Sequence, residues 1–208
     1  MPAPAVPHFS DALLVLDFFG IAVFAVSGAL VAAERRLDFV TFVFFAAVTG
    51  VGGGTLRDLL IGAPVFWVHN NATLLICIAA ALGVWFIRSR RIAGSALVWF
   101  DAAGLVAYAI YGSAKAIGYG VAPVPAFAMG VLTACFGGIV RDVLAGEPSI
   151  LMRRQLYVTA AALAAGLFVI QMLIGAPMWA AAIVAALAGF ILRGLAIARG
   201  WSLPPYRP

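Results

Sequence analysis

Residues 50–64 read GVGGGTLRDLLIGAP, and residues 134–148 read ACFGGIVRDVLAGEP. A shift of 84 positions superimposes them: Gly53 and Gly54 fall on Gly137 and Gly138, Arg57-Asp58 on Arg141-Asp142, Leu60 on Leu144, Gly62 on Gly146 and Pro64 on Pro148. Without a gap, the same shift carries Thr49 to Thr133, Asp17 to Asp101, Gly20 to Gly104 and Gly28 to Gly112. Common membrane residues can match by chance. A string G-G-x-x-R-D-x-L-x-G-x-P with an aspartate at the same offset is an internal repeat.

Both stretches end long apolar runs. The chain has 208 residues, 65% hydrophobic and only 10% charged, with a mean hydropathy of +1.10. A soluble domain needs more polar surface than this. Apolar segments near twenty residues recur throughout, the length that crosses a hydrocarbon core of roughly 30 Å. Seven spans are predicted, over 12–33, 39–61, 71–87, 96–116, 123–145, 155–174 and 178–198. The pattern of a transmembrane barrel, short strands alternating apolar and polar residues, is absent. The fold class is therefore an all-α membrane protein, and 1–208 is expected to form one transmembrane domain.

Three spans per repeat, an odd number, force the second copy into the membrane from the opposite face. Repeat one covers 12–87, repeat two 96–174, and the seventh helix, 178–198, stands outside both. Inverted repeats are a recurring plan in transport proteins, with the functional path between the halves near the midplane.

The formal net charge of +5 is read as topology, not as a nucleic-acid signal. Arg35, Arg36, Arg88, Arg90, Arg91, Arg153, Arg154, Arg193, Arg199 and Arg207 fall on one face, ten of the thirteen basic residues. The opposite face has only Lys115. This bias puts the N-terminus outside and the C-terminus in the cytoplasm. Residues 1–11 contain no Lys or Arg, so a cleavable signal peptide is not expected. Cys77 and Cys135 both fall within spans, where small buried residues are expected rather than a disulfide or a metal site.

Gly52, Gly53 and Gly54, and in the second copy Gly137 and Gly138, lie inside spans two and five. Each mid-helix glycine costs roughly 1 kcal/mol against alanine, so a kink or short unwound segment is expected, freeing carbonyls and N–H groups at membrane depth. Close helix packing is the competing use, since Gly50 and Gly54 form a small-xxx-small pair. Duplication of the break, followed each time by Arg-Asp, favours a hinge.

Counting places the charges. The first turn centres near residue 36, with Asp17 nineteen residues before it and Arg57 twenty-one after it. In antiparallel neighbours they reach similar depth, so Asp17 is expected to neutralise Arg57, directly or through water, and Asp101 to do the same for Arg141. Arg57 and Asp58 are consecutive and point about 100° apart on a helix, which makes them poor mutual partners. Asp58 and Asp142 are then left to cap a half-helix, bond across the repeat or face water. Ser27, Thr49, Tyr108, Tyr111, Ser113 and Thr133 are candidate path-lining residues, each also a candidate helix–helix hydrogen bond. Lys115 in a cation path would have to be a gate or a neutralised partner. No nucleophile–base pair, phosphate loop or metal cluster is evident. An enzyme is the least favoured class, and no cofactor is expected.

The duplicated G-G-x-x-R-D motif on spans two and five, in a 3+3+1 plan of about this length, resembles the bacterial branch of the TRIC family, the trimeric intracellular cation channels. The likeness covers residues 12–198. Some bacterial relatives are described as glycine transporters. The resemblance implies a homotrimer with one pore per protomer and conduction of monovalent cations, chiefly K⁺, past kinks at Gly52–Gly54 and Gly137–Gly138. It also implies a plasma membrane setting, with lipid as a neighbour. Phe136 replaces a glycine of the first copy, so the second hinge is expected to be stiffer. A carrier for a small neutral amino acid such as glycine is the alternative.

Overall fold

The computed structural model describes residues 11–86, 90–150 and 156–204. Among these, the chain forms seven α-helices: α1 (Asp11–Glu34), α2 (Phe39–Leu60), α3 (Asn71–Phe86), α4 (Arg90–Gly118), α5 (Pro123–Leu144), α6 (Tyr157–Leu173) and α7 (Met178–Arg199). They follow the predicted spans closely, except that α4 starts six residues early. Five are long and apolar enough to cross a membrane. The other two, α3 and α6, have 16 and 17 residues; they are the third helix of each repeat. Arg88, Arg153, Arg154 and Arg207, which entered the charge-bias argument, lie outside the described residues.

The helix ends follow local chemistry. The Asp38 carboxylate caps α2, accepting the Thr41 N–H at 3.0 Å and its hydroxyl at 2.7 Å. Its repeat counterpart is Ala122, which offers no such bond; α5 starts instead with Pro123, whose missing N–H costs a helix nothing at that position. Both helices stop the same way. Gly62 and Gly146 take left-handed backbone at φ 68° and 67°, a conformation that glycine adopts without a Cβ clash.

The repeat is visible in packing. Helices α1 and α4 meet at the centre, where the Phe24 and Tyr108 rings stand 5.2 Å apart. These two are partners under the 84-residue shift. Gly20 leaves room for the Tyr108 ring, and its counterpart Gly104 leaves room for the Phe24 ring. The relation is reciprocal, as a two-fold inversion between repeats requires.

Helices α2 and α5 cross on their glycines. A Cβ on Gly53 would overlap the Thr133 carbonyl, and one on Gly137 would lie 2.5 Å from the Thr49 carbonyl. Here the expectation of an unwound break fails. Both helices run continuously through Gly52–Gly54 and Gly137–Gly138, so no half-helix ends are freed. The backbone approach obtained by deleting these side chains outweighs the propensity lost, as at other small-residue seams in membranes.

Candidate functional site

Two charge clusters lie on this frame, one per repeat. They start from the same geometry. Arg57 Nε donates to Asp58 Oδ1 at 2.9 Å, and Arg141 Nε to Asp142 Oδ1 at 2.9 Å. Asp58 Oδ2 accepts the Phe66 N–H at 3.1 Å; Asp142 Oδ2 accepts the N–H of Ile150, the counterpart of Phe66, at 2.7 Å. Each aspartate thus ties the loop that follows its helix back into the protein.

The direct partner of Arg57 in the first repeat is its chain neighbour. Arg57 bonds directly to Asp58, while Asp17 acts on it through the field. Adjacent Cβ atoms do diverge, but the long arginine side chain wraps round and brings Nε back to the next residue. Nor is Asp58 left over: Lys115 Nζ reaches it at 2.9 Å from α4. Lys115 is therefore a neutralised partner that bonds across the repeats. Asp17 is buried nearby, within the field of Arg57 and Lys115 and beside the Tyr111 hydroxyl. The guanidinium of Arg57 lies over the Tyr111 ring, 5.0 Å from its centre, with Phe66 at 5.9 Å. Such faces attract a desolvated cation.

In the second repeat the structure does bring Asp101 to Arg141. Arg141 Nη1 donates to Asp101 Oδ1 at 2.7 Å and also contacts Ser27 Oγ of α1, while Nη2 lies 2.9 Å from Asp142. Asp142 bonds within its own repeat and caps no half-helix.

The remaining candidates fill the space between. The Tyr108 hydroxyl donates to the Gly50 carbonyl at 2.9 Å. Thr49 and Thr133 supply the carbonyls at the α2–α5 crossing, and the Thr133 hydroxyl bonds back to Met129 O at 2.6 Å. Ser113 is buried against Gly130. Cys77 and Cys135 are buried free thiols.

One intramembrane charge was missed. By sequence, Arg193 counts with the charged face, at or beyond the end of span seven. In fact it lies inside α7 with 0% of its surface exposed, its guanidinium 5.2 Å from the centre of the Tyr157 ring. The signal was present: Ala181, Ala185, Gly189, Arg193 and Ala196 recur at helical spacing, and all are buried.

Fold and site together define a polytopic helical membrane protein built from inverted repeats, with paired intramembrane charge clusters. A family model described as "Glycine transporter" matches residues 14–89 and again 98–173; both ends are displaced by the same 84 positions. A UPF0126 membrane protein of Vibrio cholerae is 43% identical over 151 residues, 71% of this chain and 63% of that protein. The UPF0126 inner membrane protein YadS of Escherichia coli is 40% identical over 148 residues, 70% and 72% of the two chains. The crystal structure of the TRIC trimeric intracellular cation channel orthologue from Rhodobacter sphaeroides superimposes with a TM-score of 0.87 at 43% identity, over 92% of this chain and 100% of that one. The chain belongs to the TRIC family, in the bacterial branch that includes these UPF0126 membrane proteins.

Proposed function

We propose that the protein is a passive, K⁺-preferring cation channel, a homotrimer with one ion path in each protomer. The observation that carries the reading is the mirrored pair of charge clusters flanking the α2–α5 crossing. Buried ionisable groups in a membrane are costly and face the bundle interior or a path. Here both clusters are assembled within one chain, as a pore internal to each protomer requires. Carboxylates partnered by arginine and lysine can attract a cation without holding it, which throughput demands. The likeness to the Rhodobacter sphaeroides cation channel supports the class and the trimer. Gly53 and Gly137 shape the path by bringing the backbones of α2 and α5 into contact. The membrane is the plasma membrane, with the N-terminus outside and the C-terminus in the cytoplasm, and lipid covers the exposed apolar side chains of α7, such as Ile183, Leu187 and Ile191.

A second reading, a carrier of a small neutral amino acid such as glycine, is favoured by the description of the matching family model. One experiment separates the two. Purified protein in a planar bilayer should give unitary currents whose reversal potential follows the K⁺ gradient. Saturable glycine uptake without resolvable unitary currents would overturn the channel reading.

A further inference from the structure

The two clusters differ by one cation. The first repeat gathers two carboxylates, Asp17 and Asp58, with two cations, Arg57 and Lys115. The second gathers Asp101 and Asp142 around Arg141 alone. The position equivalent to Lys115 is Val31, which carries no charge. By its own repeat, the second cluster is one positive charge short.

Arg193 approaches this cluster from α7 through Tyr157. Its guanidinium covers the Tyr157 ring, and Asp101, Arg141 and Arg193 all act electrostatically on the Tyr157 hydroxyl. Gly138 lets the Tyr157 hydroxyl close on Asp101 and Arg141: a Cβ there would lie 2.9 Å from Tyr157 Oη, 3.4 Å from Asp101 Oδ1 and 3.6 Å from Arg141 Nη2. The counterpart of Tyr157 is Thr73, too short to reach across in this way. Along α7 the other buried positions are alanine and glycine, so one large cation on that seam carries a heavy desolvation cost unless it answers negative charge.

We propose that Arg193 is a positioning residue for the ion path: through Tyr157 it balances the Asp101–Arg141–Asp142 cluster and so sets how readily cations enter from that end. The seventh helix, which no repeat requires, is then part of the conducting machinery. Removing the charge leaves that end net negative while the Arg57 end stays balanced. Local cation concentration rises on one side only, and the current becomes direction-dependent.

The inference rests on the conduction reading, and the test keeps the two apart. Full-length protein is recorded in symmetric KCl as wild type, Arg193→Met, Arg193→Lys, and Arg193→Met combined with Asp101→Asn. Arg193→Met should change the ratio of currents at opposite voltages by roughly two- to tenfold. Arg193→Lys should keep the wild-type ratio, and the double variant should return towards it. A folded Arg193→Met protein with an unchanged ratio overturns the inference. If Arg193→Met does not fold, Asp101→Asn must restore folding; failure to restore it overturns the inference as well. A wild type without cation current defeats the conduction reading, while thermal stability of the single and double variants still tests the charge balance.

Discussion

Arg57 and Arg141 occupy one position in two copies of the same backbone motif, and they keep different company. Both pair with the following aspartate, and both aspartates hold a loop N–H. Beyond that shared core, Arg141 gains Asp101 and Ser27, whereas Arg57 faces the rings of Tyr111 and Phe66. Ser27 and Tyr111 are counterparts under the repeat shift, so a single exchange turns a hydrogen bond into a cation–ring contact. A duplicated backbone fixes where charges stand. The side chains around them decide how firmly each is held, and so which cluster can rearrange as an ion passes.

The sharpest way to break this comparison is to delete each arginine. Arg141→Met leaves Asp101 and Asp142 buried without the cation that bonds them directly and should cost about 3–5 kcal/mol, read as thermal unfolding in detergent. Arg57→Met should cost less, about 1–3 kcal/mol, because Asp58 keeps Lys115 and the Phe66 N–H. Equal losses would mean that the two clusters are equally rigid. If a folded Arg57→Met protein conducts normally, Arg57 has no part in the ion path.

The glycine crossing comes next. Gly53→Ala drives a methyl into the Thr133 carbonyl and should cost about 1–3 kcal/mol. Gly52→Ala, whose added carbon meets nothing nearer than 3.9 Å, should instead stabilise the helix by up to about 1 kcal/mol. A similar penalty at both positions would point to a hinge that needs glycine throughout, not to a crossing that needs it at one point.

Smaller effects sharpen the contrast. Tyr108→Phe removes the donor to Gly50 O, which Phe24 never had, and should cost about 1 kcal/mol. At the helix starts, the Asp38 carboxyl is held below its ordinary value by the Thr41 N–H, with further help from the Thr41 hydroxyl. A depressed carboxyl stabilises above its unfolded pKa, and that contribution is lost as pH falls through the lowered folded value. Asp38→Ala should lower the melting temperature by about 1–3 °C near neutral pH and by less in strong acid. Ala122→Asp should give α5 the cap it lacks and move the melting temperature the other way.

Much of this was legible before any coordinates, and the misses have physical causes. Repeat, span count and the Asp101–Arg141 pair follow from apolar length and residue spacing, which the bilayer translates almost directly into geometry. Glycine alone is ambiguous because the same residue serves helix breaking and helix crossing; the carbonyls of Thr49 and Thr133 facing Gly137 and Gly53 identify the crossing. The Arg57–Asp58 pair was discounted from Cβ directions, which say nothing of how far an arginine bends back. Arg193 was read by its nearness to the chain end, although its place on the alanine–glycine seam of α7 marked it as inward-facing. No spacing rule announces that Phe66 and Ile150 return their N–H groups to Asp58 and Asp142.

The bond from Lys115 to Asp58 also bears on how the protein is made. Its partners lie 57 residues apart, so a ribosome delivers the carboxylate of α2 to the membrane well before the ammonium that answers it. Thr133, the seat for Gly53, is synthesised later still. The first three helices must therefore wait in the bilayer with a charge and a backbone seam uncovered. Arrival of α4 and α5 closes both together, which makes the finished second half the template on which the first half matures.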